Sequence, residues 1–147
     1  MLWLLRHAEA AEGTQDDERP LTERGIMQAQ DAGHALTALG VPIDACLCSP
    51  KLRAVQTAQY ACAPLGVEVT LERRLAGEPF DAYDLVAGLG EVLLVGHDPS
   101  FTLTVHDLTG AQARMKKGGL AGISKGELCV LMRPAELSAI AGRERVA

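Results

Sequence analysis

Val92-Leu93-Leu94-Val95-Gly96-His97-Asp98-Pro99-Ser100 is the stretch on which the fold turns. Val92–Val95 is an unbroken apolar run, the pattern of a strand buried on both faces of a parallel sheet. Asp98-Pro99 then pairs a capping carboxylate with a proline at the first helical position, and predicts a helix running to about Thr109. A buried strand followed at once by a helix is half of a strand–helix–strand unit. Gly96 and His97 fall between the two, where open α/β sheets bind their ligands.

The same grammar recurs outward from this stretch. Met1–Leu5 reads as a buried strand that ends in Arg6-His7. Ala8 to Pro20 is small, acidic and polar, and reads as a loop. Thr22 caps a helix running to about Leu39, with Ile26, Ala29, Leu36 and Leu39 near one face and Gly40 and Pro42 to stop it. Ile43–Cys48 is a second strand. Ser49-Pro50 follows it as cap and first helical residue of a helix reaching about Ala63. Val67–Leu71 is a third, short strand, Arg73–Pro79 is irregular, and Phe80–Leu89 is a helix leading into Val92. Beyond Thr109, Leu120–Ile123 and Glu127–Met132 form a terminal strand pair joined across Ser124-Lys125-Gly126. Alternating strands and helices imply an α/β fold of three layers. Its central sheet is mostly parallel, with helices on both faces and an antiparallel edge strand. The 147 residues make one domain, 1–147, with no internal repeat or linker.

Composition narrows the class. Hydrophobic residues make up 48% of the chain, which excludes a disordered segment. The longest apolar runs are far too short to cross a bilayer. Met1 leads almost directly into Arg6-His7 with no secretory leader, so the expectation is a soluble, cytoplasmic protein. A formal charge of −5 argues against nucleic acid or an anionic membrane as partner, because such binding rests on clustered Lys and Arg. Cys46, Cys48, Cys62 and Cys129 match neither a zinc spacing nor a secreted disulfide framework, and read as buried free thiols.

Against that acidic background, the strand ends stand out. Arg6-His7 follows the first strand, Ser49-Pro50-Lys51-Leu52-Arg53 the second and Gly96-His97 the fourth. Parallel strands deliver all three to one edge of the sheet. Lys51 and Arg53 lie in the first turn of a helix, where the macrodipole disfavours positive charge. A bound anion at that terminus would compensate, and the implied ligand is a phosphate-like oxyanion. Other candidates are blander. His34 reads as a helix-surface residue, and His106 lies beside the core stripe of Phe101, Val105 and Leu108. Gly88-Leu89-Gly90 precedes a strand, whereas a dinucleotide fingerprint follows one. Glu12, Asp16, Asp17 and Glu18 read as a solvated acidic loop, with a preference for basic protein substrates as the functional alternative.

Three blocks, Leu5-Arg6-His7-Ala8, Ser49-Pro50-Lys51-Leu52-Arg53-Ala54-Val55-Gln56-Thr57-Ala58 and Val95-Gly96-His97-Asp98-Pro99-Ser100, resemble those of the histidine phosphatase superfamily. Arg19-Pro20-Leu21-Thr22-Glu23-Arg24-Gly25 resembles the link after the first block in short bacterial members. The match runs in order from about residue 1 to 110, and length and spacing are most similar to SixA-type phosphohistidine phosphatases. The resemblance implies that His7 is the nucleophile, that Arg6 and Arg53 hold the phosphoryl oxygens, and that His97 donates a hydrogen bond to them. Ala8 departs from the glycine usual in the wider superfamily.

The chemistry fits these residue types. Nearby cations favour a neutral, nucleophilic imidazole, and arginine can bind two phosphoryl oxygens at once. His97 would donate best when protonated beside a dianionic phosphate. The scheme requires no metal and no organic cofactor. Glu9, two residues after His7, and Glu78, in the irregular segment, are the candidate general acids. The interval from Arg53 to His97 is short, leaving little chain for a lid. An open cleft suits phosphohistidine on another protein, or small phosphate esters, better than an enclosed phosphomutase site. The alternative from another class is a non-catalytic phosphate- or phosphoprotein-binding module on the same fold.

Overall fold

The computed structural model describes residues 1–143 and contains one six-stranded sheet. Its strands are β1 (Leu2–Arg6), β2 (Ala45–Cys48), β3 (Val69–Leu71), β4 (Val92–Gly96), β5 (Leu120–Ser124) and β6 (Glu127–Met132). They lie in the order β3-β2-β4-β1-β5-β6. β1 to β4 run parallel, while β5 and β6 are antiparallel and close one edge. The expected mostly parallel sheet with an antiparallel edge is therefore the observed one.

Side-chain alternation builds a core on each face. Trp3, Leu5, Cys46, Cys48, Leu93 and Val95 point to the face covered by helices α1 (Glu23–Ala38), α2 (Leu52–Cys62) and α5 (Pro134–Ile140). Leu2, Leu4, Val92 and Leu94 point to the other, covered by α3 (Ala82–Val86) and α4 (Ser100–Thr109). The near-continuous apolar runs of β1 and β4 are what burial on two faces demands. No described helix is long and apolar enough to cross a membrane.

Several boundaries differ from the sequence expectation, for physical reasons. Thr22 does cap α1, accepting from the Gly25 N–H at 3.0 Å. Leu39 falls off the apolar face and is exposed. The helix after β2 begins at Leu52, with Lys51 at its cap position, because Ser49 is still hydrogen bonded to the sheet and its hydroxyl is used elsewhere. α3 is much shorter than Phe80–Leu89. Helix α5 was not expected, although Arg133-Pro134 followed by Glu136 carries its start signal: proline in the first turn and a Glu136 carboxylate accepting from the Arg133 N–H. Cys46, Cys48 and Cys62 are buried free thiols as expected, whereas Cys129 on β6 is free but exposed.

α1 and α2 touch through Gly33. A Cβ there would collide with the Ala61 carbonyl oxygen and sit 2.7 Å from the Pro64 ring. Neither obstacle is a flexible side-chain end. Gly33→Ala is expected to lower stability by roughly 1–3 kcal/mol, despite alanine's better helix propensity, and urea unfolding would measure it.

Candidate active site

The three central parallel strands, β2, β4 and β1, end side by side. Beyond them the His7 N–H donates to the Gly96 carbonyl at 2.8 Å, and the Ser49 N–H to the Val95 carbonyl at 3.0 Å. His7, Ser49 and His97 are thereby set on one edge. All three are buried, as is Arg53. The His7 and His97 ring centroids are 5.2 Å apart.

Each ring has one nitrogen engaged. His7 Nδ1 lies 2.8 Å from the Ala8 carbonyl, an acceptor only, so Nδ1 carries the proton and Nε2 carries a lone pair. His97 Nε2 lies 2.7 Å from Ser49 Oγ. That hydroxyl also accepts from the Lys51 N–H at 3.2 Å, and it can either give its own proton to the ring or accept one from it. His97 Nδ1 is buried without a partner.

The arginines are each tied on one side. Arg53 gives one N–H to the Asp16 carbonyl at 2.7 Å and another to the Asp16 carboxylate at 3.2 Å. Arg6 donates to the Met115 carbonyl at 2.8 Å and stands 3.9 Å from the Asp98 carboxylate. Both Nε atoms are buried and unpartnered. Buried donors normally find acceptors. Two arginine Nε–H groups and one histidine nitrogen are thus left open near the same strand ends, groups of the kind that bind an oxyanion, and Arg19 Nε is likewise buried without a partner.

Glu12, Asp16, Asp17 and Glu18 are exposed, as expected, and Asp16 has partners as well. Asp16 is not merely solvated: it meets Arg53, Lys51 (3.4 Å) and Arg19 (3.2 Å). Partial desolvation works against ionisation, yet the hydrogen bonds and charges of Arg53 and Lys51 hold its carboxyl below the ordinary value. The positive charge in the first turn of α2 is thus partly compensated from within the chain. His34 and His106 are exposed, as expected.

Burial pushes the His7 imidazole down to about 4; the Ala8 carbonyl bond opposes this, and the charges of Arg53, Arg6 and Lys117 reinforce it. Burial and the neighbouring His7, Arg53 and Lys51 push His97 down to about 3. Without an anion, then, both rings are held neutral at physiological pH; the sequence expectation of a protonated His97 concerns the ring beside a dianionic phosphate. Glu9 pairs loosely with Arg24 at 3.9 Å. Glu78 is exposed, on the loop that borders the start of α4 with Gly77, Pro79 and Pro99. Neither carboxylate shares a hydrogen bond or ion pair with His7, His97, Arg6 or Arg53 among the described residues.

Thr57, Gln28, Gln56 and Gly25 support the site without a role in the sequence reading, and Gln28 lies outside the recognised blocks. Thr57 Oγ1 accepts from the Ala8 N–H at 3.0 Å and donates to the Arg53 carbonyl at 2.7 Å, linking the two blocks. Gln28 and Gln56 accept from the Glu9 and Leu21 N–H groups at 3.0 and 2.8 Å. Gly25 leaves room for the Glu9 carbonyl, which a Cβ would strike. Asp98 accepts from the Thr102 N–H and hydroxyl, so it caps α4 while facing Arg6.

A family model described as the histidine phosphatase superfamily (branch 1) matches residues 2–84. The chain belongs to that superfamily. An uncharacterised protein of Picosynechococcus sp. is 31% identical over 144 residues, spanning 85% of both chains. The protein histidine phosphatase SixA, solved in complex with tungstate, superposes with a TM-score of 0.81 at 24% identity, covering 92% of this chain and 98% of that one. An alpha-ribazole phosphatase from Shigella flexneri superposes at 0.67 and 21% identity, covering 90% and 96%. The two superpositions establish a shared fold.

Neutral buried histidines make stability depend on pH in a defined direction. Between about pH 6.5 and 4 the unfolded chain binds protons that the folded His7 refuses. Stability is therefore full above this window and falls as pH is lowered through it, by about 3 kcal/mol for His7 taken alone. Thermal unfolding across pH 4 to 8 would show the slope in wild type, and His7→Asn with His97→Asn should flatten it.

Proposed function

We propose that this protein is a phosphatase that transfers a phosphoryl group to His7 Nε2 and then to water, with phosphohistidine on a protein as its preferred substrate class. The observation that carries the reading is the His7 tautomer. Nδ1–H is held by the Ala8 carbonyl, and Nε2 is left with a lone pair beside unpartnered donors of Arg6, Arg53 and His97.

In the first step the Nε2 lone pair attacks phosphorus and the bond to the leaving group breaks. Arg6 and Arg53 hold the equatorial oxygens through their free Nε–H groups, and electrostatic stabilisation does most of the work. His97 donates from Nδ1, with Ser49 fixing its ring. Water then attacks the phosphohistidine, releasing phosphate and returning the lone pair to His7. With its pKa near 4, His7 is ready to attack at any pH above about 5. A protein phosphohistidine loses an imidazole, which needs little acid help, so neither Glu9 nor Glu78 has to be drawn into the cradle. No step calls on a metal or an organic cofactor.

Openness supports the substrate class. Between β3 and β4 the chain forms only a turn of 3-10 helix at Arg73–Leu75 and the short α3. Nothing there is large enough to close over a small metabolite. A side chain presented by another protein can reach such a cleft directly.

Hydrolysis of p-nitrophenyl phosphate in excess chelator is expected to proceed in wild type. His7→Ala should lose at least about a thousandfold in kcat, and His97→Ala and Arg53→Ala roughly a hundredfold or more. Residual His7→Ala activity near that of wild type would refute the covalent scheme. Strong preference for one sugar phosphate over a phosphohistidine peptide would refute the substrate class alone.

A further inference from the structure

The chain carries an excess of acidic residues, yet a groove of about 480 Å³ beside Arg6 is lined by Arg24, Arg114, Lys116, Lys117 and Arg133. Two of these cations are neutralised or shaded by the chain itself. Glu136 holds Arg133 at 2.9 Å, and Glu9 stands 3.9 Å from Arg24. Arg114, Lys116 and Lys117 have no ion pair among the described residues, and all three are exposed. Three like charges within four residues repel one another, and among the described residues no carboxylate pairs with any of them.

Their placement is not left to a free loop. The Gly118 N–H donates to the carbonyls of Arg6 and His7 at 3.1 and 3.0 Å, the Arg6 N–H to the Gly119 carbonyl at 3.0 Å, and the Arg6 guanidinium to the Met115 carbonyl at 2.8 Å. The backbone that bears the cations is therefore stitched to the residues that bear the nucleophile. Lys117 is near enough to lower the His7 pKa by its charge. Arg6 belongs to both the cradle and the groove, so whatever occupies the groove continues from whatever is being dephosphorylated.

We propose that this groove is a docking surface for acidic side chains flanking the phosphorylated residue of a protein substrate. The inference deepens the reading above and rests on it. Exposed cations on long stems, spread from α1 to the start of α5, suit an extended acidic surface. A compact second phosphate would call for buried, converging donors, and the groove's cations outside Arg6 are solvent-facing. Opposite charges of this kind act mainly on encounter and are screened by salt.

The test uses two phosphohistidine peptides of equal length, one flanked by Glu and Asp, the other by Gln and Asn. The acidic peptide is expected to have a kcat/KM roughly tenfold higher at low ionic strength, mostly through KM. The preference should collapse at high salt and in the double variant Arg114→Gln/Lys116→Gln. That variant should hydrolyse p-nitrophenyl phosphate within about twofold of wild type, and Lys116→Arg should keep the preference. Equal rates on the two peptides, or a preference that survives the double variant, overturns the proposal. If wild type hydrolyses p-nitrophenyl phosphate through His7 but neither peptide, the phosphohistidine reading fails by itself. The groove is then judged by the peptides' inhibition constants against p-nitrophenyl phosphate, where equal values overturn it and a salt-sensitive acidic preference sustains it.

Discussion

The insertion of β4 between β2 and β1 is the constraint on which the rest depends. Its parallel register places Cys48 opposite Val95 and Arg6 opposite Gly96. The chain leaves all three strands at the same level, and neighbouring strands are only about 4.8 Å apart. Residues one or two steps beyond the strands have nowhere to go except against one another. Ring centroids 5.2 Å apart for His7 and His97 follow from that spacing. The Thr57, Gln28 and Gln56 bonds then act on a geometry the sheet has already set, by stopping the loop after His7 from swinging away.

What could be read from the sequence, and what could not, divides along the same line. The convergence of Arg6-His7, Arg53 and His97 was legible because apolar runs mark parallel strands, and parallel strands have one ligand-binding edge. Ser49 was misread as a helix cap because its local signature, Ser before Pro, is that of a cap. Its engagement with His97 depends on a strand from another part of the chain. Asp16 was read as solvated for the same reason: nothing local announces a partner in Arg53. The cations at Arg114, Lys116 and Lys117 sit on an irregular segment with no periodicity to interpret, and only the Gly118 and Gly119 hydrogen bonds bring them to His7. Helix α5 is a different case, since Pro134 and Glu136 carry its start signal in the local sequence.

The electrostatic layout gives buried Arg53 and half-buried Arg6 one acid each and leaves the Nε–H of both without a partner. Asp16 faces Arg53, and Asp98 faces Arg6. A buried guanidinium without any counter-charge would be costly, whereas a fully paired one would have nothing left to offer a ligand. Engaging the terminal N–H groups while leaving Nε without a partner satisfies both demands. The arrangement also keeps the arginines straight before substrate arrives, so less ordering is needed when it does.

Two chemically identical side chains are assigned opposite parts by what each one touches. The partner of His7 Nδ1 is a carbonyl, which can only accept, so the lone pair must lie on Nε2. The partner of His97 Nε2 is a hydroxyl, which can give a proton as well as accept one, and the proposed cycle uses the form in which it gives its proton and the ring proton lies on Nδ1. In that cycle one histidine is the nucleophile and the other a donor, without either being charged. An incoming phosphate dianion reverses the balance of charge around both rings and favours a proton on the one whose free nitrogen faces its oxygens. His97 can take that proton with its hydrogen bond to Ser49 intact, since the hydroxyl turns from donor to acceptor. His7 cannot do so and remain a nucleophile. In the proposed cycle, then, proton uptake on phosphate binding belongs to His97, and the Ala8 carbonyl and Ser49 hydroxyl are what keep the two roles apart.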